Sequence, residues 1–161
     1  MQKVAAVEEA KTLLEAAKEW GVWKWLTDKK KMREAADKAW AAYDEVEEKV
    51  RSAWSDDLQK AYAELSAHAA VADGGAPAKK KYDKAKKDAE GVGAPVKAQA
   101  KKLKDADEEA YAVRMQAEDM FVEAEKRMNT GMARDAAQKA IDAYVAREKV
   151  IKKFEAAARA K

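Results

Sequence analysis

Cysteine is absent from the chain, which excludes disulfide staples, thiolate nucleophiles and cysteine-ligated zinc, iron or haem. Two prolines and six glycines leave few places to break a helix, and with two phenylalanines strand-forming residues are scarce too, so an all-α fold is expected. No run approaches the roughly 18 apolar residues that would span a bilayer, and the first ten residues carry no apolar segment that reads as a signal peptide. Cytoplasmic placement is therefore the expectation. Phosphate loops and dinucleotide fingerprints are missing as well: neither Gly74-Gly75 nor Gly91-Val92-Gly93 follows a strand pattern or precedes Lys-Ser/Thr. The acidic pairs Glu8-Glu9, Glu47-Glu48, Asp56-Asp57 and Glu108-Glu109 are sequence neighbours. On a helix such neighbours diverge by about 100°, which suits a solvated face rather than paired acid and base. Neither an enzyme nor a bound cofactor is expected.

What the chain does hold is alanine and charge. Charged residues make up 39% of its 161 residues, 33 basic against 30 acidic, for a net charge of +3 that does not by itself point to an anionic partner. A single domain over residues 1–161 is expected, an elongated antiparallel bundle of about four main helices with alanine-rich, coiled-coil-like seams.

From Asp28 to Ala72 there is neither glycine nor proline. Met32, Ala36, Ala39, Tyr43, Val46, Val50, Ala53, Leu58, Ala61, Leu65 and His68 read as one stripe along a single helix of about 65 Å. A first helix over 2–20 precedes it, with Gly21 as its C-cap and Thr27-Asp28 as the N-cap of the long helix. Asp73-Gly74-Gly75-Ala76-Pro77 ends the long helix and places proline in the first turn of a basic segment, 78–90, whose apolar face is only Tyr82, Ala85 and Ala89. That segment is expected to be weakly held. Over 95–128, Leu103, Ala106, Ala110, Val113, Ala117, Met120, Ala124 and Arg127 repeat at heptad spacing. A tight turn at Met128 to Gly131 leads to a last helix, 132–160, whose inner stripe is interrupted by Glu148. Short connections make the main helices run up, down, up, down.

Three features could carry function. Trp20, Val22, Trp23, Trp25 and Leu26 crowd a corner with more apolar surface than a turn needs, plugging the end of the bundle beside Trp40 and Trp54, meeting a partner, or entering a membrane interface. Ten lysines, Lys79, Lys80, Lys81, Lys84, Lys86, Lys87, Lys97, Lys101, Lys102 and Lys104, face only Asp83, Asp88 and Glu90 over 78–104. That stretch could hold an anionic polymer or membrane surface in a salt-sensitive way, although it has no arginine and a single aromatic. His68, the lone histidine, stands four residues after Glu64 on the inner stripe. It reads as a core or boundary residue, with a haem or metal ligand as the alternative; di-metal bundles need Glu-x-x-His twice. The expected function is a non-enzymatic helical scaffold that acts through protein partners or self-association.

Overall fold

The computed structural model describes residues 4–160, which are helical throughout apart from short turns, with no strand among them. The helices are α1 (Ala5–Ala17), α2 (Val22–Ser52), α3 (Asp56–Asp88), α4 (Ala94–Arg127) and α5 (Thr130–Arg159). They contribute to two compact units, one of residues 4–48 with 109–152 and the other of residues 49–108 with 153–160.

In the first unit the register follows from the ion pairs. Lys29 meets Glu125 at 3.0 Å and Asp37 meets Arg114 at 3.5 Å, so α2 and α4 run antiparallel. Lys11 meets Glu148 at 2.9 Å while Arg134 donates to the carbonyl of Trp20 at 3.3 Å, which makes α1 antiparallel to α5. The turn between α4 and α5 is a Schellman motif: Asn129 N–H bonds Ala124 O, Met128 N–H bonds Glu125 O, and Met128 takes the left-handed φ of 51°. Asn129 then caps α5 by accepting from Met132 N–H at 3.1 Å. The unit's widest buried face belongs to α5, where Ala133, Ala136, Ala137, Ala140, Ala143, Tyr144, Val150 and Ile151 are all inside. Alanine lets the helix axes approach closely but removes little area from water, so Leu14, Trp25, Met32, Tyr43 and Phe121 supply the larger share of burial.

The second unit is built round Trp54, Tyr62 and Phe154. Their rings meet edge to face at centroid separations of 5.0 to 5.9 Å, and the Trp54 indole N–H donates to the Phe154 carbonyl at 2.9 Å. Leu58, Ala61, Ala89, Val92, Ala100, Leu103 and Ala106 complete this core.

The long helix expected over 28–72 is two helices. The chain leaves α2 after Ser52, buries Trp54, and restarts at Ser55, whose hydroxyl accepts from Leu58 N–H at 3.3 Å and which is followed by Asp56 and Asp57 in the first turn. The Gln59 amide donates back to the carbonyls of Ser52 and Trp54, sealing the end of α2. At the other corner α2 starts earlier than expected. Gly21 is not a left-handed cap for α1; its carbonyl accepts from Trp25 N–H and opens α2. Thr27 and Asp28 lie inside that helix, and the Thr27 hydroxyl donates to the Trp23 carbonyl at 3.1 Å.

The breaker at 73–77 acts as a reversal within α3. Gly75 has φ 64° and ψ −151°, a conformation essentially restricted to glycine, and a Cβ on Gly74 would sit 2.3 Å from the Ala78 Cβ. The rings of His68 and Tyr82 lie 5.1 Å apart. In a straight helix those residues would be about 21 Å apart along the axis, so the chain folds back at Gly75. No residue from Ala63 to Asp88 is buried.

Candidate interaction surface

Arg134 of α5 holds the backbone of the α1–α2 corner through the Trp20 carbonyl. Trp20 is buried, with the Lys24 ammonium 5.7 Å from its ring centre. Lys24 also pairs with Asp28 at 2.5 Å, and that contact holds the Asp28 carboxyl below the usual carboxylate range. Trp25 is buried against Phe121 of α4, its ring 6.1 Å away and nearly parallel. Its indole N–H has no hydrogen-bond partner among the described residues.

These two anchors leave their neighbours outside. Val22 is exposed and Trp23 is 82% exposed, while Leu26 is half-buried. The five residues singled out from sequence thus divide into a buried pair that fixes the corner, an outward pair that presents an indole, and Leu26 between them at the boundary. Trp40 and Trp54 do not join them as expected. Trp40 packs edge to face on Tyr111 with the guanidinium groups of Arg114 and Arg147 at 4.8 and 4.5 Å, and Trp54 belongs to the core of the second unit.

Two polar clusters in the first unit went unrecognised in the sequence. Glu148, which interrupts the α5 stripe, accepts from the Tyr43 hydroxyl at 2.6 Å and the Lys11 ammonium at 2.9 Å. Burial pushes the Glu148 carboxyl up, but these two donors outweigh it and the net shift is downward. Burial, reinforced by the same carboxylate, holds the Tyr43 hydroxyl well above the ordinary tyrosine range. Arg147, 4% exposed, pairs with buried Glu47 and reaches Asp44 at 2.6 Å. The Tyr144 hydroxyl donates to the Ala36 carbonyl at 2.8 Å, and burial raises it above the ordinary range as well. Each of these groups ties one helix to another. The cavity beside them, lined by Trp40, Arg114, Phe121 and Tyr144 among others, is about 20 Å³, room for a single water.

A stripe on α4 was also missed: Tyr111, Met115 and Val122 are exposed, and their spacings of four and seven place them within about 40° of one another. The heptad drew attention to the opposite face, where Ala110, Ala117 and Ala124 are buried. Among the candidate lysines, those on α3 are all exposed; on α4, Lys101 pairs with Asp105 at 3.6 Å and Lys104 sits 5.6 Å over the Tyr62 ring. His68 is exposed rather than part of an inner stripe, and its ring meets the edge of Tyr82. The reversal at Gly75 supplies no third layer to bury it.

No helix among the described residues is long and apolar enough to cross a membrane, and none of their histidine and carboxylate side chains form a group of three that could hold a metal ion. The chain matches no protein-family model, and comparisons with curated proteins and with solved structures return no similar protein.

Proposed function

We propose that this chain is a non-enzymatic helical scaffold that works in the cytoplasm through protein–protein contact, with the α1–α2 corner as its contact point. The observation that carries the reading is Trp23, 82% exposed on a backbone that buried Trp20 and Trp25 hold in place. An indole on a fixed backbone has no backbone freedom to lose when covered and only two side-chain torsions, and tryptophan is among the residues that concentrate binding energy at protein interfaces. Val22 beside it widens the apolar contact. Buried Glu47 and Arg147 and half-buried Glu148 of the first unit support the same reading, because each is engaged between helices instead of converging on an open cleft.

A photo-crosslinking side chain placed at position 23 in cells that make the protein tests the proposal. A discrete adduct, with a second copy or another protein, is expected at position 23 and not at the exposed control position Lys60. Equal and diffuse labelling at both positions would contradict it.

A further inference from the structure

The lysines of α3 have no role in the reading above, and the structure separates them from Lys101 and Lys104 of α4, while Lys97 and Lys102 of α4 are exposed as well. Lys79, Lys80, Lys81, Lys84, Lys86 and Lys87 are all exposed, and none is ion-paired among the described residues, whereas Lys101 and Lys104 are engaged within the unit. Ala78, Tyr82 and Ala85 are half-buried and Ala89 is buried, which fixes the packed face of this half of α3. At about 100° per residue, Lys80, Lys84 and Lys87 form a ridge directly opposite that face, flanked by Lys79 and Lys86 on one side and Lys81 on the other. Like charges at these spacings destabilise a helix, and this one lies in a stretch without a buried side chain. An anion along the ridge would relieve that repulsion.

The surroundings of the ridge discriminate among anionic partners. A helix that binds a bilayer surface dips an apolar face into it, and no large apolar residue between positions 63 and 108 is exposed. Single strands are held by base stacking on aromatic rings, and the one aromatic here, Tyr82, is already in contact with His68. Lysine without arginine gives point charges with no bidentate reading of bases. We propose that the α3 hairpin binds the phosphate backbone of a nucleic-acid duplex without sequence preference, through the ridge Lys80, Lys84 and Lys87 and its flanking lysines.

Fluorescence anisotropy with the full chain and a labelled DNA duplex of about twenty base pairs measures this directly. Three simultaneous phosphate contacts predict a slope of about −3 for log affinity against log salt, a loss of about sixty-fold between roughly 50 and 200 mM. Affinity should match for two unrelated duplex sequences. Replacing all six lysines by glutamine (K79Q, K80Q, K81Q, K84Q, K86Q and K87Q together) should weaken binding at least thirty-fold at low salt, and replacing the same six by arginine should retain it. Glutamine at Lys30, Lys31 and Lys38 of α2, a control of the same kind in the other unit, should change affinity less than two-fold. The proposal is overturned by absence of saturable binding at about 50 mM salt, by a slope shallower than about −1, or by a six-glutamine variant that binds as the parent does. It is equally overturned if phosphatidylserine vesicles at matched salt retain the protein more tightly than the duplex does.

Discussion

The two units hold their helices together by different means. The first sets buried and half-buried polar contacts among alanines: Arg147 with Glu47, Glu148 with Tyr43 and Lys11, and the Tyr144 hydroxyl on the Ala36 carbonyl. The second is centred on an aromatic knot, Trp54, Tyr62 and Phe154, with one polar tie from the Tyr62 hydroxyl to Asp107 at 3.2 Å, and beyond it α3 runs through a hairpin in which no side chain from Ala63 to Asp88 is buried. The difference follows from what an alanine seam lacks. Alanine alone does not determine which helix lies where, because every alanine face fits every other, whereas a hydrogen-bonded carboxylate fits only where its donors are. In the second unit three large rings in mutual contact do that work by shape, and between Ala63 and Asp88 no side chain is buried.

The largest expected loss comes from breaking the knot. Trp54→Ala removes a buried ring and its hydrogen bond to Phe154, and should lower stability by about 4 kcal/mol in urea titration. Arg147→Met should cost about 3 kcal/mol because it removes the guanidinium paired with the buried Glu47 carboxylate, while the double change Arg147→Met with Glu47→Leu should recover most of that loss. Recovery by the double variant, read from paired unfolding midpoints, would show that the charge pair directs packing more than it stabilises the fold.

A smaller effect separates Glu148 by pH. Its folded carboxyl titrates below the unfolded value of about 4.3, so the stabilisation is fully present above that pH and is lost as pH falls through the folded value. Glu148→Gln should cost about 1 kcal/mol at neutral pH, and the gap between the two unfolding curves should close below about pH 4. A gap that stays constant with pH would mean the carboxylate charge is irrelevant. Smallest in its effect on global unfolding is Gly75→Ala, which forces a side chain into the φ 64° reversal. It should cost about 1 to 2 kcal/mol locally, and should show as faster amide exchange within 63–88 with little change in the global unfolding midpoint.

The helical class, five of the eight heptad positions of α4 and most of the α5 stripe were legible because apolar periodicity records them directly, whereas Val113 and Met120 are half-buried and Arg127 is exposed. Leu103, Ala106, Ala110, Ala117, Ala124, Tyr144, Ile151 and Phe154 are buried as the spacing requires. The break at 53–55 is marked in the sequence too. The stripe steps by three and four until it jumps five from Ala53 to Leu58, and Ser55-Asp56-Asp57 stands in the gap as an N-cap with an acidic first turn. By contrast, nothing local marks Arg147 as buried or explains Glu148, since the partners of Glu148 lie 105 and 137 residues away in sequence. At the candidate surface, the tryptophan cluster was visible but its division was not. Which indole faces out depends on where α2 begins, and that is fixed by the Gly21 carbonyl and by the packing of Trp25 on Phe121.

Amide hydrogen exchange read by mass spectrometry on the intact protein tests the contrast most directly. The account predicts slow exchange over 133–154 and across the Trp54 to Tyr62 segment, with exchange over 63–88 faster by about a hundred-fold or more, as expected where local opening exposes no buried side chain. Protection over 63–88 equal to that of α5 would contradict it, and would mean that something other than burial within the chain holds the hairpin.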